Sequence, residues 1–421
     1  MKIRNIIISL LIVILLIAVG WAYWYFLMSP VQVPLGPEGQ EPPVGFQPLG
    51  RPATPGTTRP GMATSTATTT TQQPGALARI PALRLLSDSP VGGYGASTTA
   101  TTTKVLWVDR GRGNVYQATY DSAAITTLSN TVVPKIVRSV WNRNLTAFIA
   151  SMFEDGNLYP TTVYTDIVPS KKASTTAQFS PYELRGRNIS GNVIGYAASP
   201  DTSRVIVIVN ENGTGAGYLS SFSASAPTRI FTTPLTDINV SWPADDIIAI
   251  TTKPSANYGG FLYFVNPKSG AWTKILGPIY GLTAAVSRTG KHVLYSSTKD
   301  GTIATGVYSV SAATTTDAVF RTLSDKCVWG NLYRELAYCG VPSELPSGIY
   351  PDDWYLGSVS TTDKIWQVNA TTGEAKLISS LIDKADRVLN VFNPTLDSKD
   401  KFMFFMNKND LSLWSLDLVR P

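Results

Sequence analysis

One histidine, His292, and two cysteines, Cys327 and Cys339, are all that 421 residues hold of the residue types that most often bind zinc or relay protons. Zinc sites built on several histidines are thereby excluded, and any serine or cysteine nucleophile would have a single imidazole to draw on. Charge is scarce too: Asp, Glu, Lys and Arg make up 15% of the chain, against about 25% in ordinary soluble proteins. The net charge is +6; Lys2, Arg4, Arg51 and Arg59 against Glu38 and Glu41 account for +2, leaving +4 beyond residue 77. No run of Lys and Arg tracks phosphates, so no nucleic-acid partner is expected. The C-x-x-C spacing of a redox pair is missing. No cofactor and no metal site is expected.

What is present begins at the amino end. Ile6 to Met28 carries no charge, and as a helix these 23 residues would span about 34 Å, enough for a hydrocarbon core of about 30 Å. Lys2 and Arg4 place the amino terminus in the cytoplasm, and Trp21, Tyr23, Trp24 and Tyr25 form an aromatic belt at the far interface. A cleaved signal peptide would end in small residues; here Trp24-Tyr25-Phe26-Leu27-Met28 stands in that place. Residues 1–28 therefore read as a cytoplasmic stub and a transmembrane signal-anchor helix, with the rest of the chain outside a single-pass cell membrane. Residues 29–77, rich in Pro and then Thr, cannot bury a core and read as a semi-rigid stalk.

Beyond the stalk the sequence repeats. Seven short β-branched or aromatic runs recur at intervals of 42 to 66 residues, starting at Lys104, Thr146, Arg204, Asp246, His292, Glu335 and Lys401. Each is followed by a second run, most of them with an apolar residue before Tyr or Trp, such as Val115-Tyr116, Leu262-Tyr263 and Ile365-Trp366. Val265-Asn266-Pro267-Lys268-Ser269-Gly270 and Val368-Asn369-Ala370-Thr371-Thr372-Gly373 share a tight turn ending in a left-handed glycine. Turns at Ser199-Pro200-Asp201, Ser287 to Gly290 and Asn393-Pro394-Thr395 precede the first runs. Four antiparallel strands per unit, with no helical period between units, is the pattern of propeller blades. The last unit ends one strand short, and a spare strand, Leu83 to Asp88, matches Thr127 to Asn130 and Thr322 to Asp325. Laid on the last unit it would close the ring and hide the sheet edges. The expected fold of residues 78–421 is an all-β, seven-bladed β-propeller whose amino-terminal strand completes the last blade.

Ala198-Ser199-Pro200-Asp201-Thr202-Ser203-Arg204 followed by Val205-Ile206-Val207-Ile208 resembles the turn-and-strand of bacterial TolB-like and WD-like propeller repeats. Trp242-Pro243-Ala244-Asp245 and Asn393-Pro394-Thr395 match in part. The resemblance implies a propeller fold, and a function of scaffolding or binding more often than catalysis.

Cys327 opens an inner strand and Cys339 falls in the next, so the two face each other at disulfide range; a buried reduced pair is the alternative. The other candidate is Gly348-Ile349-Tyr350-Pro351-Asp352-Asp353-Trp354-Tyr355, in a long loop from Val341 to Thr361. Tyr350, Asp352, Asp353, Trp354 and Tyr355 put aromatic rings beside carboxylates, which suits sugar stacking or a protein hot spot. The alternative is a self-capping turn with its Trp folded inward. Adjacent Asp residues on an extended chain point apart, which disfavours an acid/base couple. Asn212 to Gly217 leads into no helix and reads as a hairpin tip; Glu154 to Asn157 lacks the alternating acids of a calcium loop. Three readings stay open: a surface module binding an extracellular protein or polysaccharide, a glycan-active enzyme using carboxylates such as Asp300, Asp352 and Asp353, and a structural part of an envelope or pilus complex.

Overall fold

The computed structural model describes residues 80–157, 159–170, 181–299 and 301–421, all within the compact unit Pro74–Pro421. The expected anchor and stalk lie outside the described residues. Among the described residues no helix is long and apolar enough to cross a membrane.

The chain is a succession of short antiparallel strands. After β1 (Leu83–Ser87) come β2 (Val91–Thr98), β3 (Thr103–Asp109), β4 (Val115–Thr119) and β5 (Ile125–Ser129), then β6 (Ile136–Trp141), β7 (Ala147–Met152), β8 (Thr161–Pro169) and β9 (Tyr182–Ile189). Next are β10 (Asn192–Ala198), β11 (Arg204–Glu211), β12 (Thr214–Ser221), β13 (Thr228–Thr233), β14 (Ile238–Ala244), β15 (Ile247–Thr252), β16 (Gly259–Val265) and β17 (Trp272–Tyr280). They are followed by β18 (Thr283–Val286), β19 (His292–Lys299), β20 (Thr302–Ser309), β21 (Thr314–Asp317), β22 (Cys327–Trp329), β23 (Leu336–Pro342), β24 (Asp363–Asn369) and β25 (Ala375–Ser380). Last are β26 (Val391–Leu396), β27 (Phe402–Asn407) and β28 (Leu413–Asp417).

Hydrogen bonding groups these into five four-stranded sheets and one of eight strands, a propeller-like arrangement of small sheets. The expectation of seven separate blades is corrected here: β2 to β5 and β6 to β9 share a sheet. The reason is local, a single parallel pairing of Ser129 with Tyr182 that joins β5 to β9. The last sheet has the order β1-β28-β27-β26. Leu83 pairs with Leu416, Arg84 with Ser415 and Leu85 with Trp414. Arg84, itself buried, then donates to the carbonyls of Ser122 and Ala123 at 2.9 Å, clasping the next group of strands.

Apolar faces of successive groups pack against each other, as alternation along buried strands requires. Phe404, Met406 and Leu413 meet Val91, Val105 and Trp107. Tyr338 and Ile365 meet Met403, Phe405 and Trp414 on the other side of the last sheet.

Side-chain capping explains why the hairpins fall where they do. In each of four turns a side-chain oxygen accepts the amide five residues on: Asn142 from Ala147 (3.1 Å), Ser199 from Arg204 (3.0 Å), Ser287 from His292 (3.1 Å) and Asp397 from Phe402 (2.8 Å). The turns at Gly270 and Gly373 take positive φ of 71° and 75°, as their sequences require. Asn212 and Gly213 form the two-residue tip between β11 and β12, both with positive φ.

Three expectations are corrected. Asn393-Pro394-Thr395 is a bulge inside β26, between Phe392 and Thr395, because the turn is made by Asp397 to Lys401. Thr322 to Asp325 is no outer strand; Ser324–Lys326 is a 3₁₀ turn leading into β22, and β21 occupies the outer position. The 343–362 loop contains a short helix, α1 (Asp352–Leu356), started by Pro351 and two acidic residues and stopped by Gly357 at φ 81°; these are helix start and stop signals.

Because paired strands alternate in direction, second-to-third turns and the links between groups lie at one end of the sheets. First-to-second and third-to-fourth turns lie at the other. We call the first end the link face. The 343–362 loop, between β23 and β24, belongs to it; Ile80, leading into β1, enters at the opposite face.

Candidate functional site

Cys327 and Cys339 sit directly opposite in β22 and β23 and are joined as a disulfide with a Cα separation of 4.1 Å. From there the chain runs up β23 into the 343–362 loop, which reaches over its neighbours. Thr298 at the end of β19 donates to the Tyr350 carbonyl at 2.5 Å. Asp352 accepts from Ser255 Oγ (3.0 Å) and the Ala256 amide (2.7 Å), in the turn between β15 and β16. Asp353 instead accepts the Ile349 amide of its own turn at 2.7 Å. The two carboxylates thus hold different pieces of backbone and do not face one another.

Trp354 is fully buried, and Tyr350 nearly so, in a small core with Ile303, Leu323 and Val359. Indole Nε1 donates to Asn390 Oδ1 at 3.1 Å. The ammonium of Lys326 lies 5.4 Å and that of Lys408 4.9 Å from the ring centroid, an arrangement that a ring quadrupole favours. Tyr355 is 36% exposed. Its hydroxyl end is held well above the ordinary tyrosine range, by burial first and by the Asp325 carboxylate second.

Beneath the loop lies a polar cluster that the sequence reading missed. Lys326 is 1% and Asp363 0% exposed, and the ammonium donates to Asp363 Oδ2 (2.6 Å), Thr361 Oγ1 (2.7 Å) and Asn390 Oδ1 (2.7 Å). Asp363 also accepts Thr361 Oγ1 (2.9 Å) and the Val391 amide (2.7 Å). Burial pushes the Lys326 ammonium below the ordinary lysine range, and Asp363 opposes that shift. Every proton of the ammonium is matched, as a buried charge requires. No local signal marks this pair: 36 residues of sequence separate Lys326 from Asp363.

His292 begins β19, with Nδ1 3.2 Å from Glu335 Oε2 and its ring stacked on Trp329. It lies at the face opposite the loop. Asp300 lies outside the described residues. Among the described residues no group of three or more His, Cys, Asp or Glu side chains is placed to hold a metal ion.

No protein-family model matches the sequence, and no curated protein matches it. Solved structures do share similarity. An oligogalacturonate lyase in complex with manganese is 12% identical, with 78% of this chain and 96% of that chain covered and a TM-score of 0.48. TolB from Acinetobacter baumannii is 11% identical over 73% of this chain and 60% of that chain, with a TM-score of 0.40. A Mycobacterium tuberculosis puromycin-hydrolyzing peptidase is 12% identical over 76% and 52%, with a TM-score of 0.44.

Proposed function

We propose that this chain is a membrane-anchored binding module whose propeller docks an extracellular protein on its link face. In this reading Ile6 to Met28 is the anchor, with a cytoplasmic amino terminus, and residues 29–77 are the stalk. The observation that carries the docking reading is the surface of the 343–362 loop. The Asp352 and Asp353 carboxylates are both engaged within the protein, while Leu356 is 79% and Ile349 57% exposed. Tyr258, 77% exposed, stands two residues from Ala256, to which Asp352 binds. An apolar patch fixed from beneath by hydrogen bonds suits a preorganised protein contact.

Asp352 and Asp353, candidates for acid/base work in the enzyme reading, each bind backbone, which weighs against that reading. The test is capture from cell-surface extract by the full chain in nanodiscs. A protein partner retained by wild type and lost by Ile349→Asp with Leu356→Asp supports the reading; equal retention by both overturns it. For the anchor, a carboxy-terminal tag on intact cells should be open to external protease.

A further inference from the structure

The link face carries a second feature, remote in sequence from that loop. A groove of about 540 Å³ runs between the turn joining β7 to β8 and the link from β9 to β10, within the roughly 300 to 1,000 Å³ usual for small-ligand sites. We propose that it binds a neutral saccharide, and this does not depend on the protein-docking reading above.

Among the described residues the lining has no charged side chain: its polar groups include Asn157, Thr161, Asn188, Ser190 and Asn192, and its apolar surface includes Tyr159 and Ile189. The nearby charges already have partners. Glu154 accepts Asn157 Nδ2 and Thr161 Oγ1, each at 3.0 Å. Lys135 pairs with Asp155, and the Arg187 guanidinium lies 4.9 Å over the Tyr164 ring. The groove therefore offers an anion no open cation, and the Glu154 carboxylate beside it is already tied through Oε2 to two lining side chains.

What it does offer is hydrogen bonding of both senses. The carboxamides of Asn188 and Asn192 have no side-chain partner among the described residues, and each presents two N–H donors and an acceptor. Asn157 has its Nδ2 tied to Glu154, which fixes the amide and leaves Oδ1 to accept. Tyr159, 61% exposed, supplies an aromatic surface for the C–H face of a sugar ring. Hydroxyls that both donate and accept, on a ring with apolar faces, complement this lining. The wall is fixed as well: Gly191 has φ 94°, and a Cβ there would stand 2.6 Å from Val209 Cγ1.

The test titrates the full chain in nanodiscs with maltotetraose, cellotetraose and N-acetylchitotetraose, and with an alginate tetramer as the acidic comparison. Saturable binding of at least one neutral tetrasaccharide is expected, weakened about tenfold by Asn188→Ala with Asn192→Ala. Tyr159→Ala should weaken it and Tyr159→Trp retain it, each variant keeping the wild-type unfolding midpoint. Ile349→Asp with Leu356→Asp should leave it unchanged, which separates this site from the proposed docking surface. The proposal is overturned if none of the three neutral sugars binds, if the alginate tetramer binds as well as they do, or if the asparagine variant binds undiminished.

Discussion

Replacing Lys326 by Met should destabilise the protein far more than a surface substitution would. The methionine fills similar volume but leaves Asp363, fully buried, without its cation, and removes one donor from each of Thr361 and Asn390. Among the described residues Asp363 then keeps the Thr361 hydroxyl and the Val391 amide. Removing one partner of a buried ion pair costs about 3 to 5 kcal/mol, since the remaining charge is stranded in a medium of low polarisability. The second half of the experiment separates stranded charge from lost packing. Asp363→Asn on the Lys326→Met background removes the charge while its amide oxygen still accepts from Val391, so about half or more of the loss should return. Urea unfolding of the full chain in detergent, followed by tryptophan fluorescence, is a suited assay because Lys326 stands 5.4 Å from the Trp354 ring centroid. A Lys326→Met midpoint equal to wild type would refute the reasoning, as would a double variant less stable than the single one.

Leu85→Pro in β1 should break the pairing with Trp414, destabilise by about 3 kcal/mol and, by baring the β28 edge, give concentration-dependent oligomers on size exclusion. Arg84→Ala, which removes the donors to Ser122 and Ala123, should cost about 1.5 to 3 kcal/mol in the same unfolding assay, by losing charge-assisted hydrogen bonds to partly buried carbonyls. Reduction of Cys327–Cys339, which closes a loop of sequence separation 12, should lower stability by about 2 to 3 kcal/mol; an unchanged melting temperature in reductant would contradict this. The Ser199 and Ser203 hydroxyls and the Ser203 amide hold the Asp201 carboxyl down at about 2. A depressed value means its contribution is complete above the ordinary carboxylate pKa of about 4 and is lost as pH falls toward 2. Carbon NMR titration should find it there, and Ser199→Ala with Ser203→Ala should return it to the ordinary range.

Strand positions, the tight glycine turns and the donated strand at Leu83 were legible in the residues because they rest on short-range rules. Alternation selects which side chains are buried, a positive φ selects glycine, and an unpaired edge needs a partner. The fate of the 348–359 stretch was not legible in the same way. Tyr350, Asp352, Asp353, Trp354 and Tyr355 are compatible with a binding rim or with a folded turn, and contacts from Ser255, Thr298, Asn390 and Lys408 select between them. Those residues lie as much as 97 positions away, beyond any local pattern. The Lys326–Asp363 pair shows the same limit, since a buried charge is tolerated only where distant acceptors converge on it. The side-by-side placement of Asn157, Asn188 and Asn192 likewise depends on how β7, β8, β9 and β10 bring their ends together. Chain propensity writes the strands; convergence of groups far apart along the chain makes the sites.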